Sequence, residues 1–460
     1  MSATHLDIIN PATEEIIASI QKDTAASVSE KLELLQKGQA VWKKTTLEDR
    51  IVIIKKYHEL LERDIEILSN TLTEEVGKPL QQSRNEVNGS RSRIAWMLDN
   101  AAKYLSDETM SSSDSMQEII RYEPLGVVCN ISAWNYPYLV GTNVFIPAIL
   151  AGNAALYKPS EYATLTGQHI KRLLKEAGVP ADVFQLVVGD GEVGKLLLEL
   201  PLDGYFFTGS YATGKLIYEA VAKKMVPCQC ELGGKDPLYV ADDVSNIKAV
   251  AQGTADGAFY NNGQSCCSVE RIYVHEKIFD AYVHEFVTEV DSWKLGNPKE
   301  DGTYIGPLSR KQQIQFLESQ INDAVTKGAK ILTGGKAIEG KGYYFQPTVL
   351  VDVDHSMLIM KEESFGPVIG IMKVKNDEEA SQLMNDTAYG LTAAVYSSNQ
   401  QRAENILSQI NSGTGYWNCC DRVSAALPWS GRKHSGFGST LSHAGFRAFT
   451  QPKAYHLRSN

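Results

Sequence analysis

The chain has 460 residues, 43% hydrophobic and 22% charged, with a formal net charge of −10 at pH 7. This length holds two or three domains with a large core, and the composition excludes global disorder. The acidic balance argues against a nucleic-acid or anionic-membrane surface; no apolar run approaches the roughly 20 residues that span a bilayer, and no basic-then-apolar secretory signal opens the chain.

Residues 1–25 read as short extended segments around Asn10-Pro11, and residues 25–105 as helical. From 47 to 68, Leu47, Ile51, Ile54, Leu61, Ile65 and Leu68 recur at helical spacing and give one apolar face. Gly77-Lys78-Pro79 breaks that pattern. Residues 106–115 form a polar, Ser-rich connection, and 117–123 a strand or hairpin arm. From Gly126, apolar runs at 127–131, 154–157, 184–188, 205–207 and 226–232 alternate with helical stretches near 142–151, 165–177, 192–199 and 212–224. That alternation predicts a doubly wound parallel sheet, whose ligands bind beyond the carboxyl ends of the strands. A second α/β unit runs from Pro237 to about Ser435, with strands at 238–240, 271–274, 330–332, 368–374, 394–396 and 414–418. The tail, 448–458, has strand character.

The seven cysteines are sparse and include two adjacent pairs, a usage that fits a reducing cytoplasm. Cys228-x-Cys230 has no second pair at finger spacing, so no metal site is expected. In Phe259-Tyr260-Asn261-Asn262-Gly263-Gln264-Ser265-Cys266-Cys267, a small turn delivers a thiol after a helical run that starts near Ile247. A thiolate attacks electrophilic carbon and leaves it readily, so Cys266 is a candidate nucleophile; a small core hydrophobe is the alternative. Cys267 reads first as a packing residue, with reversible oxidation beside Cys266 as its functional alternative. Upstream, Cys228-Gln229-Cys230-Glu231-Leu232-Gly233-Gly234-Lys235 offers a lone carboxylate, Glu231, next to a Gly-Gly turn.

The Glu-Leu-Gly-Gly-Lys motif followed by Gly-Gln-x-Cys resembles the aldehyde dehydrogenase superfamily. The resemblance runs from Asn10-Pro11-Ala12-Thr13 to the end, with several motifs in the family's order, and is nearest to bacterial NAD(P)-dependent aldehyde and succinate-semialdehyde dehydrogenases. It implies two doubly wound α/β domains and a small β arm. Residues 1–105 and 125–234 would form the NAD-binding, Rossmann-like domain, and 235–435 the catalytic domain. Residues 106–124 and 446–460 would form an oligomerisation arm, in which the tail pairs with the hairpin near 117–124 of a neighbouring subunit to build a homodimer or homotetramer.

Other motifs take their roles within this resemblance. Trp134-Asn135-Tyr136-Pro137 follows the first strand, and a side-chain amide there can donate to a developing oxyanion. A turn-forming Asn is the plain alternative. The resemblance makes Asn135 the oxyanion donor, together with the Cys266 N–H. Phe206 to Gly214 ends a strand and opens a helix, where Gly209, Ser210, Thr213 and Gly214 suit a phosphate. The spacing is Gly-x-x-x-x-Gly rather than the dinucleotide fingerprint, and the resemblance sets Ser210 against the pyrophosphate. Lys158-Pro159-Ser160-Glu161 can meet a ribose diol or form a solvated turn; a Glu there repels a 2′-phosphate and favours NAD over NADP. The resemblance adds Trp134 and Leu232 to the cofactor site, gives Glu363 the nicotinamide ribose and packs Phe365 near the ring.

The expected activity is oxidation of a small-molecule aldehyde to the acid through a cysteine thiohemiacetal and a thioester. A CoA-acylating enzyme and a catalytically idle relative are the competing readings. Tyr138, Tyr260, Trp417 and Trp429 form a candidate aromatic wall for the substrate. Arginines that grip a carboxylate in some semialdehyde dehydrogenases would align with Asn143 and Tyr260. That departure weakens succinate semialdehyde as substrate unless Arg422, in the late loop, replaces them.

Overall fold

The computed structural model describes residues 4–459; the outermost residues of the expected first and last segments, 1–3 and 460, lie outside this range. The predicted helical region is four helices, Ala25–Trp42, Leu47–Arg63, Ile65–Val76 and Leu80–Leu105. Thr24 closes the first with a capping box and Thr46 caps the second by accepting from Asp49 N. The apolar stripe from 47 to 68 is interrupted at Asp64, which leaves the helical conformation and bonds Arg63 and Arg172. Ile54, Leu61 and Leu68 still share one buried cluster.

Two sheets dominate the remainder. The first orders its strands Gly436–Phe437, Cys228–Glu231, Gly204–Thr208, Val127–Ile131, Ala154–Lys158 and Phe184–Leu186. All pairs are parallel except the two-residue strand at the edge. Its strands are buried on both faces, which explains their unbroken apolar runs. From Val127–Ile131 the chain first builds outward on one side and later returns to the other at Gly204–Thr208. The order therefore reverses between these two strands, where ligands of such sheets bind.

The second sheet orders Lys330–Thr333, Thr348–Val351, Val368–Val374, Val269–His275, Asp236–Val240, Thr392–Tyr396 and Thr414–Trp417. Only its first pair is antiparallel. Thr348–Val351 was not expected. The short link Leu232 to Lys235 joins the sheets, so the carboxyl edge of the first meets the amino edge of the second.

Three expectations are corrected. The Ser-rich connection contains a strand, Glu108–Ser112, paired with Met116–Pro124. The tail strand Thr450–Arg458 pairs with that hairpin in its own chain, from Thr450 opposite Pro124 to Arg458 opposite Met116, rather than with a neighbour's. The helix expected near 142–151 starts earlier, at Pro137, a residue suited to the first turn because it lacks an N–H. Among the described residues no helix is long and apolar enough to cross a membrane.

Candidate active site

The thiol loop is held by unusual backbone. Asn261, Asn262 and Gly263 all have positive φ (54°, 58° and 66°), a conformation Asn and Gly tolerate best. Gly263 admits no side chain, since a Cβ would lie 2.4 Å from the Gly366 carbonyl. Asn262 Nδ2 donates to the Gly306 and Pro307 carbonyls (2.9 and 2.8 Å), and Asn261 N donates to Gln82 Oε1 (3.0 Å). From 261 to 270 every residue is buried except Cys266, which is half-buried. Cys267 is sealed, its Sγ donating to Asp421 Oδ1 (3.0 Å), and its contact with the Cys266 sulfur together with burial pushes its thiol well above the usual range. Of the pair, Cys266 is therefore the thiol with access.

Asn135 comes from the loop after Val127–Ile131 and is tied to the thiol loop. Its Nδ2 donates to the Gln264 carbonyl (3.1 Å), two residues before Cys266. Its own carbonyl accepts from Lys78 Nζ (2.7 Å) and Asn261 Nδ2 (3.2 Å). Lys78 in turn pairs with Glu86; both side chains are fully buried, and Glu86 Oε1 accepts from Tyr138 N (2.9 Å). A buried ion pair thus sets the position of the Asn135 backbone.

Glu231 ends its strand buried. Its Oε1 accepts from Thr440 Oγ1 (3.1 Å) and Gln229 Nε2 (3.3 Å), while Oε2 is buried with no hydrogen-bond partner. Burial raises its carboxyl to about 8, against these two bonds. Three residues on, Gly234 packs so closely on the thiol loop that a Cβ would lie 2.3 Å from the Cys266 carbonyl oxygen. The loops bearing Asn135, Glu231 and Cys266 therefore converge at one place, where the two sheet edges meet.

The expected cofactor residues line the carboxyl edge of the first sheet. Lys158 is 4% exposed, yet the only hydrogen bond of its ammonium is to the Pro159 carbonyl at 3.3 Å, and no carboxylate lies within ion-pair distance of it among the described residues. A buried ammonium so poorly matched fits a ligand's hydroxyl oxygens. Ser160 caps the next turn and donates to Glu161 Oε2 (3.3 Å). Ser210 is exposed and caps helix Tyr211–Ala222, accepting from Thr213 N (3.4 Å), so that helix's N-terminus is open to an anion. Gly209 N donates to the Glu231 carbonyl (3.0 Å). Gly214 differs from expectation: a Cβ there would lie 2.4 Å from Leu232 Cδ2, so its smallness serves packing rather than phosphate approach. Glu363 Oε1 accepts from Gly234 N (2.9 Å), and burial with Glu270 beside it raises its carboxyl to about 8. Phe365 meets Trp134 edge to face, with centroids 5.4 Å apart.

The substrate residues fare less well. Tyr138 is fully buried in the main core, on the inner face of the helix that begins one residue earlier, and lines no wall. Trp417 is 38% exposed on an edge strand and donates to the Ser397 carbonyl. Its neighbour Tyr416 is the buried residue, near Cys267 and Asp421, and alternation turns Trp417 to the opposite face. Arg422 is exposed, and its carbonyl rather than its guanidinium is used, by Tyr416. Trp429 is buried against the cluster that includes Cys267. Tyr260 is half-buried, accepting from Asn85 Nδ2 (3.1 Å).

Several site residues escaped sequence reasoning. Glu270, salt-bridged to Lys235 (2.7 Å), accepts from Ser364 N and Phe365 N and fixes the loop that carries Glu363. Asp421 anchors Cys267. Arg93, from Leu80–Leu105, feels the charges of Cys266, Cys267, Glu86 and Tyr136, and acts on Glu231. No local motif marks any of them.

Comparison with known proteins follows the same line. Residues 1–455 match the family model described as Aldehyde dehydrogenase family. A succinate semialdehyde dehydrogenase of Acinetobacter baylyi is 31% identical over 98% of this chain and 94% of its own length. A peroxisomal aminoaldehyde dehydrogenase of Pisum sativum is 35% identical over 97% and 91%. Among solved structures, an NAD-dependent aldehyde dehydrogenase from Sinorhizobium meliloti superimposes with a TM-score of 0.96 at 31% identity, covering 99% of this chain and 92% of that one.

Proposed function

The chain belongs to the aldehyde dehydrogenase family, and from that premise we propose that it oxidises a small-molecule aldehyde to the free carboxylic acid through Cys266, with NAD(P) as cofactor. The observation that carries this reading is the convergence on the thiol loop. Asn135 bonds the Gln264 carbonyl, Gly234 packs on the Cys266 carbonyl, and Glu231 keeps a buried oxygen without a partner.

Cys266 Sγ attacks the aldehyde carbon to give a thiohemiacetal. The second N–H of the Asn135 amide and the Cys266 backbone N–H stabilise its oxyanion, and their fixed orientation means no dipole must turn during the reaction. Lys158 and Glu161 would hold the adenosine ribose, Ser210 and the helix behind it the pyrophosphate, and Glu363 the nicotinamide ribose. When bound, the nicotinamide supplies a hydride acceptor. The thioester then left on Cys266 is cleaved by water, whose proton passes to Glu231. Glu161 disfavours a 2′-phosphate, so NAD is the preferred form.

A water-activating carboxylate has no use in thiolysis by coenzyme A, which sets the acylating reading second. The sheet of Glu108–Ser112, Met116–Pro124 and Thr450–Arg458 serves contacts in a homodimer or homotetramer, and the protein works in the cytoplasm. NADH or NADPH absorbance tests the reading, with short aliphatic, aromatic and carboxylated aldehydes and each cofactor, with and without coenzyme A. Turnover independent of coenzyme A is expected. Turnover only with coenzyme A, or none with any aldehyde, overturns it.

A further inference from the structure

We propose that Arg93 is the substrate's carboxylate anchor, so that the aldehyde oxidised carries a second, distal carboxylate. The inference rests on Cys266 being the nucleophile and adds the chemical class of what it attacks.

Helix Leu80–Leu105 lies along helix Pro137–Leu150 through three consecutive polar contacts. Glu86 accepts from Tyr138 N (2.9 Å), Ser90 bonds the Tyr138 carbonyl (3.2 Å) and Thr142 (2.9 Å), and Arg93 Nη1 donates to Asn143 Oδ1 (3.0 Å). The spacing 86, 90, 93 is one helix face, so Arg93 continues the face that supports Asn135 and is fixed by packing. Asn143, which it holds, lies on the helix that follows directly on the Asn135 loop, and the thiols at 266 and 267 and the carboxyl of Glu231 are near enough to interact with its charge.

What it lacks there is a counter-charge. Its neighbours on the helix are paired, Arg84 with Glu66 (2.8 Å) and Arg91 with Glu62 (2.7 Å). Arg93 makes no salt bridge among the described residues, and its one protein hydrogen bond goes to a neutral amide. A guanidinium has five N–H donors in a rigid fork matched to a carboxylate. None of the Arg93 nitrogens is buried without a partner, so those not bonded to Asn143 face open space. Burial lowers its pKa to about 10, which leaves it charged at neutral pH. A half-buried, held and unpaired guanidinium on the helix face that supports the Asn135 loop attracts an anionic substrate end and repels a cationic one.

The alternative is that Arg93 is a positioning residue that acts only on the thiol. The two separate on substrate preference. Succinate semialdehyde, glutarate semialdehyde and pentanal are compared as kcat/KM in the wild type, Arg93→Leu and Arg93→Lys. We expect the wild type to favour a semialdehyde over pentanal. In Arg93→Leu that ratio falls about 30-fold or more, mainly through a rise in KM for the semialdehyde, as loss of a charge-assisted pair requires. Arg93→Lys, which keeps the charge and most of the stem, gives an intermediate ratio. The proposal is overturned if the wild type prefers pentanal, a result that needs no variant, or if both substrates decline together and the ratio stays within twofold. A wild type inert toward every aldehyde would instead sink the proposed function itself.

Discussion

Glu231 shows how a single side chain's environment sets a rate. Its carboxyl is raised to about 8 because it is buried with one oxygen unpartnered, so at neutral pH most molecules hold it protonated and unable to take a proton from water. The account therefore predicts that thioester hydrolysis, followed by single-turnover kinetics, accelerates as pH rises through about 8. Glu231→Gln should be slower by about 10²–10⁴-fold and lose that dependence. The same shift has a stability consequence. The fold holds this carboxyl protonated above its ordinary value of 4.5, so its contribution to stability is complete below that value and is lost as pH rises toward 8. Thermal melts should accordingly fall less between pH 5 and 8 for Glu231→Gln than for the wild type; an equal fall would contradict the assigned environment. At this scale the sequence was informative where turn residues flank a reactive group, as Asn-Asn-Gly does before Cys266 and Gly-Gly after Glu231. It was silent on Arg93, which sits among other helix arginines that are paired on the surface.

The link Leu232 to Lys235 is the element on which the site turns, since it carries Glu231 from one sheet and touches Cys266 at the edge of the other. Two of its close contacts differ in what they can yield. A Cβ on Gly214 would meet the end of the Leu232 side chain, which can change rotamer, whereas one on Gly234 would meet the Cys266 carbonyl, which is backbone. Gly214→Ala should thus lower stability by about 1–3 kcal/mol and leave much of the turnover. Gly234→Ala should lower kcat by about 100-fold or more, because it displaces the nucleophile's own peptide. Similar losses for the two, read by melting and by kinetics, would contradict this picture. Element boundaries explain the misplaced substrate residues. Starting the helix at Pro137 turns Tyr138 inward, and the strand pleat turns Trp417 outward. Neither orientation is fixed until the ends of the element are known.

In the whole molecule, residues at or just beyond the carboxyl ends of strands of the first sheet (Asn135, Lys158, Ser210, Glu231) meet residues that precede strands of the second (Cys266, Glu363, Phe365). The alternating apolar runs foretold both sheets, and the motif order foretold the family, because each rests on local pattern. Long-range pairings were not legible: Gly436–Phe437 returning to Cys228–Glu231, or the tail folding onto its own hairpin, depend on contacts far apart in sequence. The central claim is that a covalent acyl group forms on Cys266 and is released by Glu231. Glu231→Gln mixed with NAD and an aldehyde substrate, quenched in acid, digested and sequenced by tandem mass spectrometry, tests it most directly. The account predicts the acyl mass on Cys266 alone, whereas an unmodified peptide, or a label on Cys267, would contradict it.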